Sequence, residues 1–316
     1  MSERARRILI RVAVYGSVIF FVLPLVFAHV LTAPHPREHF ATPPAHYEET
    51  TLVSGELELR AWLTRGVAEL PAVVIAHGLG DTLESYQEHA QPFVERGHTV
   101  MLVDLRGHGR SDGGRTTLGG NERFDVRAAM DALASERLAD AGVILMGHSM
   151  GAVAVLLAAA ERDDVAAVIA EAPFDSYRNT VAHHAKLLYY MPSWVPIIPL
   201  AILSAEWVAD FDADDVDAVA AAPLIDAPVL LIADGLDQRM PEPVIRRIVD
   251  AHPGPSELWV AEGVNHVGAR WNPDWETTVF GFLEGQGLSS LSASGNTDET
   301  SSATSGHAEG ETTEPD

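Results

Sequence analysis

The chain has 316 residues, a formal net charge of −24 and no cysteine. That charge repels a phosphate backbone and argues against nucleic acid as a partner; the lack of cysteine excludes disulfides, thiolate metal sites and a cysteine nucleophile. A hydrophobic share of 47 % is ample for a folded core.

The N-terminal end comes first. Arg4, Arg6, Arg7 and Arg11 against Glu3 give residues 1–11 a charge of +3. Val12 to Ala33 is almost free of charge. About 20 apolar residues, rising 1.5 Å each, cross a ~30 Å hydrocarbon core. The positive-inside bias keeps residues 1–11 in the cytoplasm and puts everything after Pro34 on the extracytoplasmic side. A cleaved signal has a shorter apolar region of ~7–15 residues and a small-x-small site, which does not follow here, so 12–33 reads as a single-pass transmembrane signal-anchor. Residues 34–46 are Pro-rich and read as a stiff spacer off the membrane. At the other end, residues 286–316 are Ser, Thr, Gly and Glu with six acids and no base. Such a segment buries too little to offset its ordering entropy and is expected to be a disordered acidic tail. The remaining −21 lies on residues 12–285, so the acidity belongs to the middle of the chain.

Between the ends, apolar strand runs alternate with helical patterns. Val53–Leu63 alternates as an antiparallel strand. Continuous apolar runs at Pro71–His77, Thr99–Leu105, Ala141–Met146, Val165–Ala170 and Pro228–Ala233, with a short one at Leu258–Ala261, predict buried parallel strands. Helical spacing falls on Ser85–Arg96, Asn121–Leu138 and Ala152–Ala160. The alternation predicts an α/β fold: a mostly parallel sheet with helices on both faces.

The strongest chemical signal is Gly147-His148-Ser149-Met150-Gly151, a G-x-S-x-G run between a strand and a helix. A sharp strand-to-helix turn presents Ser149 at a helix N-terminus, where a developing anion is stabilised. A serine hydroxyl needs a positioned base. His266, just after the last strand, stands beside His252, His183, His184, His148, His77 and His108 as a candidate. Asp234 and Asp237 are the candidate acids; Asp104 reads instead as a loop-holding partner of Arg106 and Arg110. Glu38-His39 and Glu88-His89 lack the spacing of a metal-hydrolase motif.

These motifs carry a resemblance. HGLGD (His77–Asp81), DLRGHGRSDG (Asp104–Gly113) and GHSMG resemble the oxyanion loop, the loop after the fourth strand and the nucleophile elbow of the α/β-hydrolase superfamily. EAPFDSYR (Glu171–Arg178) and the segment from Phe211 to Pro241 resemble its serine-aminopeptidase-like branch, in which a short helical cap precedes the acid strand. The match runs over residues 48–283 and gives a hydrolase domain at 47–285 with a cap at about 174–226. It implies a Ser149, Asp237, His266 triad: aligning Pro241 with the proline of the family's H-G-x-x-D-x-x-x-P pattern puts the acid on Asp237, although Asp234 and Ala233 depart from that pattern. It also implies an oxyanion hole of the Leu79 and Met150 backbone N–H groups, and no cofactor or metal. His148, inside the elbow, is expected to point elsewhere.

The segment Lys186–Trp207 is apolar and aromatic. It reads as cap helices that also line the pocket, which suits a small-molecule or lipid acyl substrate. The function expected is a membrane-anchored serine hydrolase of esterase or lipase type. A peptidase or acyltransferase on the same triad, and an inactive hydrolase-fold binding module, stand as the alternatives.

Overall fold

The structure is a computed structural model that describes residues 1–37, 41–192 and 194–289. It opens with one apolar helix, α1 (Glu3–Leu31), capped by the Ser2 hydroxyl. The helix starts at Glu3, earlier than the apolar run that begins at Val12, because Ser2 accepts from Ala5 N–H and Glu3 sits in the positive first turn. Pro24 cannot donate to the turn below it. The ladder accordingly widens to a π turn over Val18–Val22 just before the proline.

The first residues of the segment 34–46 are bonded to the domain. His35–Pro36 pairs in parallel with His108–Gly109. His35 N–H donates to Gly107 O at 2.7 Å, and Thr116 N–H donates to Thr32 O at 3.2 Å. Arg115 adds a side-chain bond to Thr32 Oγ1 at 3.0 Å. Paired backbone is stiff for a different reason from proline: its polar groups are bonded to the domain.

An eight-stranded sheet follows. Its strands are β1 (Glu48–Ser54), β2 (Leu57–Thr64), β3 (Ala72–Ala76), β4 (Val100–Val103), β5 (Val143–His148), β6 (Val165–Glu171), β7 (Val229–Asp234) and β8 (Ser256–Ala261). Their spatial order is β8-β7-β6-β5-β3-β4-β2-β1. From β3 to β8 all neighbours are parallel, and β2 runs antiparallel to both β1 and β4. The single strand expected at Val53–Leu63 is thus the end of the first arm, the turn and most of the second arm of a hairpin. Gly55, at φ +64°, takes the first position of its two-residue loop, a conformation that a side chain would strain.

Alternate residues of the parallel strands feed two cores. Val74 and Ala76 pack on one face with α3 (Glu122–Ser135), α4 (Met150–Ala159) and α7 (Glu242–Ala251). Val73 and Ile75 pack on the other with α2 (Gln87–Glu95) and α8 (Trp275–Gly285). All ten residues of α4 are buried. Its alanines let it lie close under the sheet.

Between β6 and β7 the chain forms a cap over the C-terminal ends of the strands. It contains α5 (Tyr177–Tyr189) and α6 (Ile197–Ala209). A third core joins Phe174, Tyr177, Val181, Ile197 and Ile202 of this region to Leu23, Phe27 and Leu31 of α1. The last turn of α8 ends at Gly285, and the tail expected at 286–316 lies outside the described residues from 290 onward.

Candidate active site

Ser149 occupies the turn between β5 and α4 at φ 52°, ψ −113°. A non-glycine residue there is strained, and the surrounding structure must hold it. Ser149 N–H donates to Glu171 O at 2.8 Å, and Ser149 O accepts from Val153 N–H at 3.1 Å. The flanking glycines make the turn possible by close approach. A Cβ on Gly147 would lie 2.3 Å from Gly151 O, and one on Gly151 would lie 2.2 Å from Ala76 O.

His266 and Asp237 arrive on the loops after β8 and β7. His266 Nδ1 lies 2.6 Å from Asp237 Oδ2. Asp237 Oδ1 accepts from Arg239 N–H at 2.7 Å. Burial pushes the Asp237 carboxyl up, but the hydrogen bond and charge of His266, with the Met240 and Arg239 N–H groups, outweigh it and hold its pKa below the ordinary aspartate value. A carboxylate on Nδ1 keeps the proton there and leaves Nε2 as the acceptor. Ser149 and His266 line one cavity of about 400 Å³. Their side chains are not hydrogen-bonded to each other here.

The two carboxylates have separate jobs. Asp234 is buried rather than solvated, and it accepts N–H bonds from Val267 (3.1 Å), Gly268 (3.1 Å) and Ala269 (2.5 Å). It therefore fastens the loop that carries His266. His148, Asp234 and His266 offer ligand atoms within 4.8 Å of one another. Both Asp234 oxygens are already engaged, however, which suits loop fastening better than metal ligation. His148 does not point away from the site. Its ring lies 5.0 Å from that of His266, and it lines the cavity. Burial, followed by the His266 charge, holds its pKa well below the ordinary value, so it is a neutral neighbour.

Leu79 and Met150 both line the cavity beside Ser149. Met150 N–H, at the first turn of α4, has no acceptor within the helix. The loop carrying Leu79 is pinned by His77, whose Nε2 accepts from Leu105 N–H at 3.0 Å and whose Nδ1 lies 2.8 Å from Gly78 O. Gly78 is held close too: a Cβ there would lie 2.9 Å from His148 Nδ1. Asp104 does not pair with Arg106. It pairs with Arg60 at 3.6 Å and accepts from Leu83 and Arg110 N–H groups, while Arg106 pairs with Asp125 at 2.6 Å.

These histidines set an acid limit. The His77 and His108 rings lie 4.9 Å apart at a tilt, and burial lowers both pKa values to about 4, as it does for His89. A base whose folded pKa is depressed gives stability that is full above about 6.5 and lost as pH falls toward 4. For His77 the loss is on the order of 3 kcal/mol. Glu171 acts oppositely: burial, then Asp234, raise its pKa to about 8, so its contribution is present below about 4.5 and lost as pH rises through 8. Melting temperature is therefore expected to peak near pH 6.5 and to fall steeply below it. A flat profile from pH 6.5 to 4.5 would contradict neutral, buried histidines.

A strand order with a nucleophile-type elbow after β5, an acid after β7 and a histidine after β8 defines the α/β-hydrolase superfamily. Residues 69–231, just over half of the chain, match the family model described as serine aminopeptidase, S33. The chain belongs to that family. It is 29 % identical to the uncharacterised protein YqkD of Bacillus subtilis over 61 % of this chain and 64 % of that one. It is 31 % identical to a monoacylglycerol lipase of Mycolicibacterium smegmatis over 54 % of this chain and 63 % of the lipase. The chain thus spans a little under two thirds of the length of these two curated relatives. The esterase Pf2001 of Pyrococcus furiosus shares the fold with a TM-score of 0.64 at 22 % identity, covering 80 % of this chain and 97 % of the esterase.

Proposed function

We propose that the protein is a membrane-anchored serine hydrolase that cleaves an ester through an acyl-enzyme. The observation that carries this reading is the 2.6 Å contact between His266 Nδ1 and Asp237 Oδ2, beside a serine held at positive φ in the same cavity.

In this mechanism Ser149 Oγ attacks the ester carbonyl carbon and His266 Nε2 takes the hydroxyl proton. The Leu79 and Met150 N–H groups stabilise the oxyanion. The intermediate collapses, the alcohol leaves with the proton from His266, and Ser149 remains acylated. Water, deprotonated by His266, then attacks the acyl carbonyl and releases the acid with Ser149 restored. Asp237 holds the Nδ1–H tautomer and stabilises the imidazolium.

The cavity lining is mainly apolar, with Phe174, Val181 and Met240 among its walls. This favours an acyl group over a charged peptide terminus. The N-terminal helix serves as the anchor, with the +3 end in the cytoplasm and the hydrolase domain outside. The decisive experiment treats the full chain with a fluorophosphonate probe and maps the adduct, followed by a panel of p-nitrophenyl esters and aminoacyl anilides. Labelling on Ser149 with ester turnover is expected. A folded protein that does not label would sink the reading, and turnover of anilides alone would transfer it to a peptidase.

A further inference from the structure

The hydrolase reading leaves unexplained why α1 contributes to the pocket at all. Phe27, Val30 and Leu31, at the C-terminal end of this helix, line the same cavity as Ser149 and His266. Pro24 and Ala28 of the helix are buried, and the Phe27 ring meets Tyr189 of the cap edge-on at 5.6 Å. Cap helix α6 packs along α1 from its last turn back to the Val18–Val22 segment. The Thr32 and His35 bonds to the domain leave no slack at the junction.

Length then decides where the cap lies. From Val12, where the charge-free stretch begins, to Val22, α1 measures about 16 Å. That is short of a ~30 Å hydrocarbon core. The helix crosses a bilayer only if part of Leu23–Leu31 is also immersed, and the cap is packed against that part. The outer surface of the cap suits this position. Trp194, Trp207 and Tyr190 are 79 %, 79 % and 90 % exposed, with Leu203 exposed beside them. Amphipathic aromatics of this kind settle at a membrane interface, where apolar faces enter by ~5–10 Å.

We infer that the cap is partly immersed in the bilayer and that the substrate is a membrane lipid ester, whose acyl chain enters from the hydrocarbon and lies against Phe27, Val30 and Leu31 of α1. The anchor is then a wall of the substrate pocket as well as a tether. This inference rests on the serine-hydrolase reading and names its substrate class.

The test uses the full chain in phosphatidylcholine vesicles, with p-nitrophenyl esters from acetate to dodecanoate. Leu31→Trp fills the pocket from the α1 side. The kcat/KM ratio of dodecanoate over acetate is expected to fall about tenfold or more, at about fourfold for each methylene excluded. Leu31→Ala, which introduces no clash, is expected to raise that ratio. Brominated phosphatidylcholine is expected to quench the part of the tryptophan emission that is missing in the W194A/W207A double variant. Chain-length ratios that stay within twofold of wild type in both Leu31 variants overturn the inference, and so does emission from Trp194 and Trp207 that bromine leaves unquenched. Both results leave the hydrolase reading standing if fluorophosphonate still labels Ser149. A wild type that fails to label sinks the hydrolase reading, and the inference with it.

Discussion

Ser149→Ala is expected to lower kcat for ester hydrolysis by about 10⁶-fold, and Asp237→Asn by about 10⁴-fold, with melting temperatures close to wild type. Alanine removes the attacking oxygen, and no other group in the cavity replaces it at the helix N-terminus. The asparagine effect is subtler. Asp237 Oδ1 must accept the Arg239 N–H at 2.7 Å. The amide oxygen therefore takes that side, and the NH₂ faces His266 Nδ1. The imidazole is then forced to carry its proton on Nε2, where it can no longer accept the serine proton. Asp234→Asn provides the contrast. Its oxygens fasten the 267–269 loop, so it should lower stability as well as rate. Turnover within tenfold of wild type in a folded Asp237→Asn would remove Asp237 from the mechanism.

Gly151→Ala is expected to prevent folding of the hydrolase domain. The new Cβ would stand 2.2 Å from Ala76 O and 2.6 Å from His77 O. Both are backbone atoms at the end of β3, which is hydrogen-bonded on both sides, so neither can yield cheaply. A cost above about 4 kcal/mol is expected, a large part of the ~5–15 kcal/mol that holds a typical domain together. Gly281 is the control. It sits in α8 with open space around it, so Gly281→Ala should gain up to about 1 kcal/mol from helix propensity. Urea unfolding of the two variants checks the pair. A soluble, cooperative Gly151→Ala near wild-type stability would show that the elbow tolerates a side chain.

Local patterns carried much of the fold. The runs PAVVIAH, TVMLVDL and AGVILM are legible because a strand buried on both faces needs continuous apolar residues, whatever lies beside it. GHSMG is legible because its turn needs glycine on both sides of the serine. The turn of the β1–β2 hairpin is hard to see in the sequence, since alternation continues through Ser54–Leu57 and only Gly55 marks the reversal. The pairing at the start of 34–46 is hidden for a related reason: proline richness reports stiffness but not whether His35 finds a partner at His108.

The sequence by itself determined the elbow and an apolar helix behind a basic end, because each is written in contiguous residues. Tertiary structure alone decided three things. It paired His266 with Asp237 and gave Asp234 to the 267–269 loop, a choice between two carboxylates three residues apart that depends on how the loops after β7 and β8 cross. It turned His148 toward His266. It also directed one face of α1, through Phe27 and Leu31, into the pocket. Hydropathy measures how strongly a residue leaves water, and that quantity has no direction. A span therefore looks the same in sequence whether its face meets lipid or lines a pocket, and only packing against the cap distinguishes the two.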